Sequence, residues 1–308
     1  MKKLSLLLIL AFFSSLFFMN KLLAESKYMF KETQNLVKMV DTAVRLVEKY
    51  GEEVFPEFRK KGSKWFKGNQ YIFIDDMAGT SIVNPAFPGL EGKNMIALQD
   101  VWGKYLVKDY IREVYKYGKN KHNGWFHYLW PKPKTGEISW KTTYIARATA
   151  PNGTSYVIGA GDYNMRMEKE FLHDAVEDAV KVIKTHGLKN AINILESKDE
   201  EFFFNDTHVF VVTDKAEELA NKVFPHLSQK QQANFWKIQD IERKYVFKEF
   251  YRTVKRKKSG WVVATWAPKT NHENLPNYEY TYVKGLKIQD KFLIVGSSAN
   301  FENPGYEV

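Results

Sequence analysis

The sequence predicts an α+β protein made of two tandem domains that share one plan. Its 308 residues suffice for two domains of about 140 residues each. The same order of sequence signals recurs at a shift of about 136 to 140 residues. In each copy most predicted strands come late and are joined by short turns. This favours an antiparallel sheet flanked by helices over a doubly wound parallel sheet.

The internal repeat rests on five pairs of matching segments in the same order. Residues 41–51 match 177–187, 104–114 match 244–254, Gly124-Trp125 matches Gly260-Trp261, Trp130 matches Trp266, and Ile158-Gly159 matches Val295-Gly296. Such an ordered series is hard to obtain by chance. We therefore predict one domain at 28–168 and a second at 169–308. Because residues 164–170 contain no glycine, proline or serine break, we also expect a helix to run from one domain into the next.

Each copy predicts the same series of elements. Apolar residues spaced three or four apart indicate an opening helix, which Gly51 ends in the first copy and Gly187 in the second. Runs of β-branched and aromatic residues then predict a strand at 71–75 and at 208–212. A middle helix follows in each copy. Three closing strands are predicted near 125–130, 140–148 and 155–161 in the first copy, and near 261–266, 278–284 and 292–298 in the second.

The N-terminus has the pattern of a secretory signal. Lys2 and Lys3 precede a 16-residue, largely apolar run from Leu4 to Met19, and the small residue Ala24 follows. We expect a signal peptide at 1–24 and a periplasmic or otherwise extracytoplasmic protein. The alternative is an uncleaved anchor, because the run falls only slightly short of the ~17 to 25 residues that span a bilayer.

Composition narrows the classes of partner and of chemistry. The chain has no cysteine, which excludes disulfides and thiolate metal sites. Its net charge is +10, and loss of the three lysines of the signal leaves +7. The basic run at 252–258 could meet phosphates, but export argues against nucleic acid as a partner. The run is either a solvated face or a source of mild attraction for anionic ligands or membrane surfaces.

Short motifs in the first copy carry a family resemblance. In order they are Trp65-Phe-Lys-Gly-Asn-Gln-Tyr71, Asn84-Pro85, Leu90-Glu-Gly-Lys-Asn94, Gly124-Trp125, Trp130-Pro-Lys-Pro133 and Ile158-Gly-Ala-Gly-Asp-Tyr163. Their combination closely resembles the single Cache domain of the second type, a PAS-like sensor module found outside the cytoplasm in bacterial chemoreceptors and sensor kinases. The resemblance covers roughly residues 30 to 165. The second copy resembles a diverged version of the same module.

The resemblance implies a small-molecule pocket between the sheet and the helix and loops that cover one of its faces. Ligands of relatives are short carboxylates such as acetate, propionate, pyruvate or lactate. A small anion needs one or two cationic or phenolic donors inside an apolar, aromatic wall. The candidate ligand-binding residues are Tyr71, Phe73, Asp75, Tyr128, Trp130, Lys141, Tyr144 and Gly161.

Several of these residues have a simpler alternative role. Strand alternation places Tyr128 and Trp130 on one face, where they could be ordinary core aromatics. It places Lys141 and Tyr144 on opposite faces, so the strand has a bulge or only one of the two contributes; Lys141 could also be a solvated lysine. Asp75 precedes a turn, which favours a turn-forming role over a ligand contact. Gly161 indicates a close approach of the backbone to the pocket or to a packed neighbour.

The second copy departs from the motif pattern. Alignment places Asn277 or Glu279 at the position of Lys141, and Ala267 takes the place of Pro131 after the matching tryptophan. We expect this copy to provide structural support, dimer contacts or a site for a different ligand.

No reactive constellation stands out in the sequence. The seven histidines are scattered. The sequence contains no motif of a catalytic nucleophile, of a nucleotide-binding loop or of a metal-binding helix. Asp75 and Asp76 point to opposite faces of a strand, so they are not expected to share a metal. We therefore predict a binding or sensing protein for a short organic acid, without catalytic residues, cofactor or metal. Its partners would be a membrane sensor kinase or chemoreceptor and a second copy of itself; the alternatives are a ligand-free adaptor and an enzyme subunit of unknown chemistry.

Overall fold

The computed structural model describes residues 27–115, 123–197, 201–205, 207–220, 234–268 and 276–301. The predicted signal peptide lies outside these ranges. Within them, the chain forms two antiparallel sheets of six strands, one in each copy. Each sheet carries a long helix on one face and a shorter helix on the other. The predicted α+β class is confirmed.

In its described residues the first copy contains three α-helices and six strands. The helices are α1 (Lys31–Tyr50), α2 (Phe55–Phe58) and α3 (Leu106–Tyr115), and the strands are β1 (Phe66–Lys67), β2 (Gln70–Asp76), β3 (Ser81–Val83), β4 (Asn123–Pro131), β5 (Ile138–Thr149) and β6 (Ser155–Tyr163).

The described part of the second copy repeats this series except for a separate short helix like α2. Its helices are α4 (Lys169–Glu196) and α5 (Val246–Lys257), and its strands are β7 (Phe203–Phe204), β8 (Thr207–Thr213), β9 (Glu218–Ala220), β10 (Ser259–Trp266), β11 (Asn277–Ile288) and β12 (Lys291–Phe301).

The two sheets have the same topology. The strand order is β1-β2-β6-β5-β4 in the first and β7-β8-β12-β11-β10 in the second, with β3 and β9 added to the second strand of each copy. A close contact between a phenylalanine and a glycine is repeated as well. Phe73 pairs with Gly159 and Phe210 with Gly296. A Cβ on either glycine would lie 2.3 Å from the ring of its partner, so neither position has room for a side chain.

The opening helices pack through the stripe that their sequence predicts. Leu36, Val40, Ala43 and Val47 of α1 are buried against the sheet, as are Leu172, Val176, Ala179 and Ile183 of α4. Gly51 follows the last residue of α1 with φ of 61°, which fits the predicted helix stop. Gly187 has φ of 72° inside α4, so it interrupts the helix, which then continues to Glu196.

An aspartate and a lysine fasten the loop before each shorter helix to the neighbouring strand. Lys104 Nζ donates to the carbonyl of His127 at 2.7 Å, and Asp100 accepts the backbone N–H of Leu129 at 3.1 Å. In the second copy Lys244 Nζ donates to the carbonyl of Val263 at 2.7 Å, and Asp240 accepts the N–H of Thr265 at 3.0 Å. These matching contacts explain why both copies keep this pair of residues.

The connection between the copies is not the helix that we expected across 164–170. Asn164 has φ of 50°, which turns the chain at the end of β6, and Glu168 is extended. α4 therefore begins only at Lys169. The buried Glu168 carboxylate accepts the N–H groups of Met29, at 2.7 Å, and Phe30, at 3.0 Å. The start of α1 is thus fastened to this connection.

None of the helices in the described ranges combines the length and the apolar character of a bilayer-crossing segment.

Candidate functional site

A small cavity lies in the first copy between one face of the sheet and its covering elements, which are α3 and the chain from β3 to α3. It offers about 40 Å³ to the centres of water-sized molecules. One water needs about 10 to 15 Å³ by this measure, so the cavity matches a solute of a few heavy atoms. Its walls are formed by Tyr71, Phe73, Asp75, Ser81, Asn84, Leu90, Met95, Leu98, Leu106, Val107, Tyr110, Tyr128, Trp130 and Lys141.

Lys141 is the cation of this cavity. Its side chain is only 1% exposed, which rules out the solvated role, and its Nζ donates to the hydroxyl of Tyr71 at 2.9 Å. Among the described residues, no carboxylate forms a salt bridge with it. Burial lowers the pKa of Lys141 to about 7, and the nearby negative charge of Asp162 opposes this only in part. The ammonium group is therefore poorly compensated within the protein.

Aromatic rings surround this ammonium group. Nζ lies 4.1 Å from the ring centre of Tyr71, 5.8 Å from that of Phe73, 6.0 Å from that of Tyr128 and 5.5 Å from that of Tyr163. Ring faces attract a cation while excluding water. The surrounding rings therefore stabilise the positive charge of Lys141. They do not provide an anion that accepts its hydrogen bonds.

Asp75 brings a second titratable group into the same cavity. It is 4% exposed and accepts a hydrogen bond from the hydroxyl of Tyr110. Burial raises the pKa of Asp75 to about 7, and the hydrogen bond from Tyr110 opposes that rise. Near neutral pH the cavity thus combines a lysine and an aspartate, each poised to gain or lose a proton.

The turn-forming role expected for Asp75 belongs instead to its neighbour. Asp76 Oδ1 accepts the backbone N–H groups of Ala78, at 2.9 Å, and Thr80, at 2.7 Å. Asp75 faces the cavity because successive strand residues alternate between the two faces of the sheet. The carboxylates of Asp75 and Asp76 therefore point to opposite faces of the sheet, as strand alternation predicted.

Six of the eight candidate ligand-binding residues line the cavity. They are Tyr71, Phe73, Asp75, Tyr128, Trp130 and Lys141. Tyr144 lies on the opposite face of the sheet, where it packs against Trp125 at a centroid distance of 5.1 Å. Because β5 pairs regularly with both neighbours, no bulge brings Tyr144 round to the face of Lys141.

Gly161 acts by leaving space rather than by contact with the cavity. A Cβ at this position would lie 2.9 Å from Cε of Lys141 and 2.3 Å from Oγ1 of Thr143. The missing side chain therefore allows the lysine to pass across β6 towards Tyr71. This is the close approach that the sequence indicated.

The sequence analysis missed the walls contributed by the covering elements. Tyr110 lies on the apolar stripe of the middle helix, and its hydroxyl reaches Asp75. Its spacing from Leu106 and Val114 indicated burial but not the contact that its hydroxyl makes. Ser81 and Asn84 lie on or just after the short strand β3, whose pairing with β2 through a register shift is not visible in the sequence. Met95 and Leu98 come from an irregular segment without periodicity.

In the described part of the second copy this charge arrangement has no equivalent. Ile145 pairs with Gly159 and Val283 with Gly296, so the position of Lys141 corresponds to Glu279, one of the two residues expected there. The Glu279 carboxylate accepts hydrogen bonds from Trp266 Nε1 at 2.7 Å and from Ser298 Oγ at 3.0 Å.

Apolar side chains fill the corresponding space. By the same register, Val212 takes the place of Asp75, and Phe250 the place of Tyr110. Phe210, Phe235, Phe247 and Phe250 are all buried in one cluster. The second copy has therefore exchanged the polar groups of the cavity for a packed core.

Two other groups of side chains come close enough to share a cation. They are Glu113, Asp178 and Glu201, and Glu170, His173 and Asp174; within each group the ligand atoms lie within 4.8 Å of one another. Glu113 and Asp178 are buried. Lys181 pairs with Asp178 at 3.1 Å and Lys27 with Glu170 at 2.7 Å, so part of this negative charge is already compensated.

Comparison with known proteins places this architecture in a family. The model of the Cache domain matches the chain twice, at residues 32–194 and 179–307. The chain therefore belongs to the Cache domain family, as its motifs predicted.

Individual relatives cover less of the chain. The methyl-accepting chemotaxis protein McpP of Pseudomonas putida is 31% identical over 103 residues, which make up 33% of this chain and 18% of the relative. The chain thus spans less than a fifth of the length of this curated relative.

Among solved structures, one described as a structural basis for carboxylic acid recognition by a Cache chemosensory domain is 24% identical, with a TM-score of 0.36, and covers 44% of this chain and 94% of its own. A methyl-accepting chemotaxis protein from Vibrio parahaemolyticus is 22% identical, with a TM-score of 0.33, over 41% of this chain and 82% of its own.

Proposed function

We propose that the protein is an extracytoplasmic sensor that binds a short organic carboxylate in the cavity of its first copy, without turning it over. The observation that carries this proposal is Lys141, a buried ammonium group that has no acidic partner among the described residues and lines a cavity. Burying an unpaired charge is costly, and proteins accept that cost where a ligand completes the pair.

A carboxylate suits the donors available around the cavity. The ammonium group of Lys141 would pair with one oxygen, while the hydroxyl of Tyr71, 2.9 Å from Nζ, would rotate to donate to the same anion. Below pH 7 the protonated Asp75 would offer a further donor. The aromatic walls would hold a short apolar tail.

The size of the cavity limits the length of that tail. Room of about 40 Å³ for water-sized centres corresponds to roughly three waters, which favours acids of the size of acetate or propionate. Longer acids would require the covering loops to open.

Asp75 favours a second candidate, a small amino acid such as alanine. Near pH 7 an ionised Asp75 would accept hydrogen bonds from an ammonium group while a protonated Lys141 pairs with the carboxylate. The two ligand classes differ in their dependence on Asp75: substitution to Asn would abolish amino-acid binding but leave a simple carboxylate bound.

Strand β4 provides a physical connection from the cavity to the second copy. Tyr128 and Trp130 face the cavity, whereas His127 on the other face stacks on Phe204 of β7, with ring centres 4.1 Å apart and planes 10° from parallel. A shift of β4 on ligand binding would therefore reach the second copy directly. We propose that a membrane chemoreceptor or sensor kinase receives this change, in keeping with the chemotaxis protein to which the chain is similar.

A thermal-shift screen tests the proposal. Acetate, propionate, pyruvate, lactate and small amino acids would each be added to the protein at pH 6 and at pH 8. A ligand at ~100 times its Kd adds about 2.7 kcal/mol of stability, which is readily measured. The ligand-free adaptor alternative predicts no shift with any compound, and product formation that depends on Lys141 would favour the enzyme alternative.

A further inference from the structure

A basic groove runs along the outer side of α5 in the second copy. Its described lining residues are Trp236, Lys248, Tyr251, Arg252, Lys255 and Arg256, and none of these is acidic. It offers about 340 Å³ to water-sized centres, far more than the cavity of the first copy, and Arg252, Lys255 and Arg256 are exposed. The groove is thus an open surface and not an enclosed pocket.

Most of the positive charge in this groove is uncompensated. Arg252 pairs with Glu249. In the part of the chain that the structure describes, no carboxylate forms a salt bridge with Lys248, Lys255 or Arg256. Lys255 lies instead over the ring of Phe292, with Nζ 3.7 Å from its centre. The groove therefore presents cations that an external anion can pair with.

Comparison of the two copies indicates that this charge is not a general property of the fold. The corresponding helix α3 carries two basic and two acidic residues and has no net charge. Helix α5 carries five basic residues and one acidic residue, a net charge of +4. The copy that has lost the polar groups of the cavity has thus gained a basic outer surface on the equivalent helix.

Two aromatic side chains flank the cations. Trp236 packs edge-on against Phe247, with ring centres 4.9 Å apart, and against Tyr251, at 5.5 Å, and it remains partly exposed. Tryptophan and tyrosine have an apolar ring and a polar tip, and together with lysine and arginine they are the side chains that suit the headgroup region of a bilayer. A single free anion is too small to contact all of these side chains.

We propose that the groove docks the second copy onto an anionic phospholipid surface. Lys248 and Arg256 are eight positions apart, or roughly 12 Å along the helix at ~1.5 Å per residue. This spread fits several neighbouring headgroups better than one phosphate. The surface is separate from the carboxylate cavity, so the two sites can be tested independently.

Vesicle sedimentation tests the docking surface with the exported protein. Binding to vesicles of phosphatidylcholine alone would be compared with binding to vesicles that contain about 30 mol% phosphatidylglycerol, at low and at high salt. The test variant is K255E/R256E, which reverses two exposed charges of the groove. The matched control is K61E/K67E, which makes the same change in net charge at two exposed lysines of the first copy.

We expect the wild type to bind phosphatidylglycerol vesicles in a salt-sensitive manner. Since each basic residue near the surface contributes about a fivefold factor, K255E/R256E should weaken the partition coefficient at least about 20-fold. The control should bind within about twofold of the wild type, and both variants should keep the carboxylate affinity of the wild type. Equal losses in the two variants would overturn the proposal, because net charge alone would then explain binding. Release of the protein from the vesicles by inorganic phosphate, at an ionic strength well below that at which sodium chloride releases it, would also overturn the proposal. That result would favour a site for a free anion.

Discussion

The Nζ atom of Lys141 donates a 2.9 Å hydrogen bond to the hydroxyl of Tyr71, and each of these side chains is 1% exposed. The two residues lie 70 positions apart in the sequence, on strands that do not neighbour each other. Gly161 on the intervening strand leaves the space through which the lysine reaches the tyrosine. The contact therefore depends on the sheet order, and it sets a positive charge at one wall of the cavity.

Replacement of Lys141 by methionine should stabilise the ligand-free protein at pH 6. The pKa of this base is lowered to about 7 in the folded state, so below pH 7 folding must bury a charge that the unfolded chain leaves in water. That destabilisation is complete below pH 7 and declines as pH rises from 7 towards 10.5. We expect K141M to raise the free energy of unfolding by at least about 1 kcal/mol at pH 6, and by less at pH 9.

Urea denaturation of the wild type and K141M at the two pH values measures this difference. A variant that is less stable than the wild type at pH 6 would contradict the view that the ammonium group is left uncompensated in the absence of ligand.

Carboxylate affinity should fall as pH rises above 7. The ligand pairs with protonated Lys141 and is repelled by ionised Asp75, and the pKa of each group is about 7. Both titrations weaken binding in the same direction, by up to about tenfold per pH unit for each group. Calorimetric Kd values from pH 6 to pH 8.5 would show the trend, and D75N should reduce its slope. An affinity that increases over this range would instead favour a ligand with an ammonium group.

A methyl group at Gly161 should weaken ligand binding. In G161A the new Cβ would meet Oγ1 of Thr143 and Cε of Lys141, so the lysine must move from its place beside Tyr71. We expect at least about a tenfold loss of affinity, since a misplaced charge loses its partner. G89A is the matched control, because no atom lies within 4 Å of the added group. Equal affinity in the two variants would argue against the path assigned to the lysine.

Each chain should bind one carboxylate. The second copy presents Glu279 in place of Lys141 and fills the corresponding space with phenylalanine rings. Isothermal titration should give a stoichiometry of one, and E279Q should change neither this number nor the affinity. A second binding event that disappears in a second-copy variant would contradict the division of roles between the copies.

Much of the fold could be read from the sequence because it depends on local patterns. The stripe of α1, the strand at 71–75 and the repeated glycines follow from periodicity and steric limits, and the structure agrees. The expected helix across 164–170 was wrong, because Asn164 adopts a left-handed conformation and the Glu168 side chain binds two backbone N–H groups of a distant segment. Neither the conformation of Asn164 nor the hydrogen bonds of Glu168 leave a signal in the local sequence.

The candidate site was predictable where strands build it and not where loops do. Alternation correctly separated Lys141 from Tyr144, and only the register of β5 against β4 and β6 decides which of them faces the cavity. Tyr110 could not be recognised as a partner of Asp75, since their contact joins a helix to a strand 35 residues away. The residue types identified the chemistry of the site, whereas tertiary packing determined which residues of each type come into contact.

The most direct test is calorimetric titration of acetate and propionate into the wild type, K141M and Y144F at pH 6. Lys141 and Tyr144 lie three residues apart on the same strand but on opposite faces, so Y144F controls for changes to the strand itself. We expect the wild type and Y144F to bind with similar affinity and K141M to show no measurable binding. Undiminished binding to K141M, or loss of binding in Y144F alone, would contradict the assignment of the carboxylate site to the cavity of the first copy.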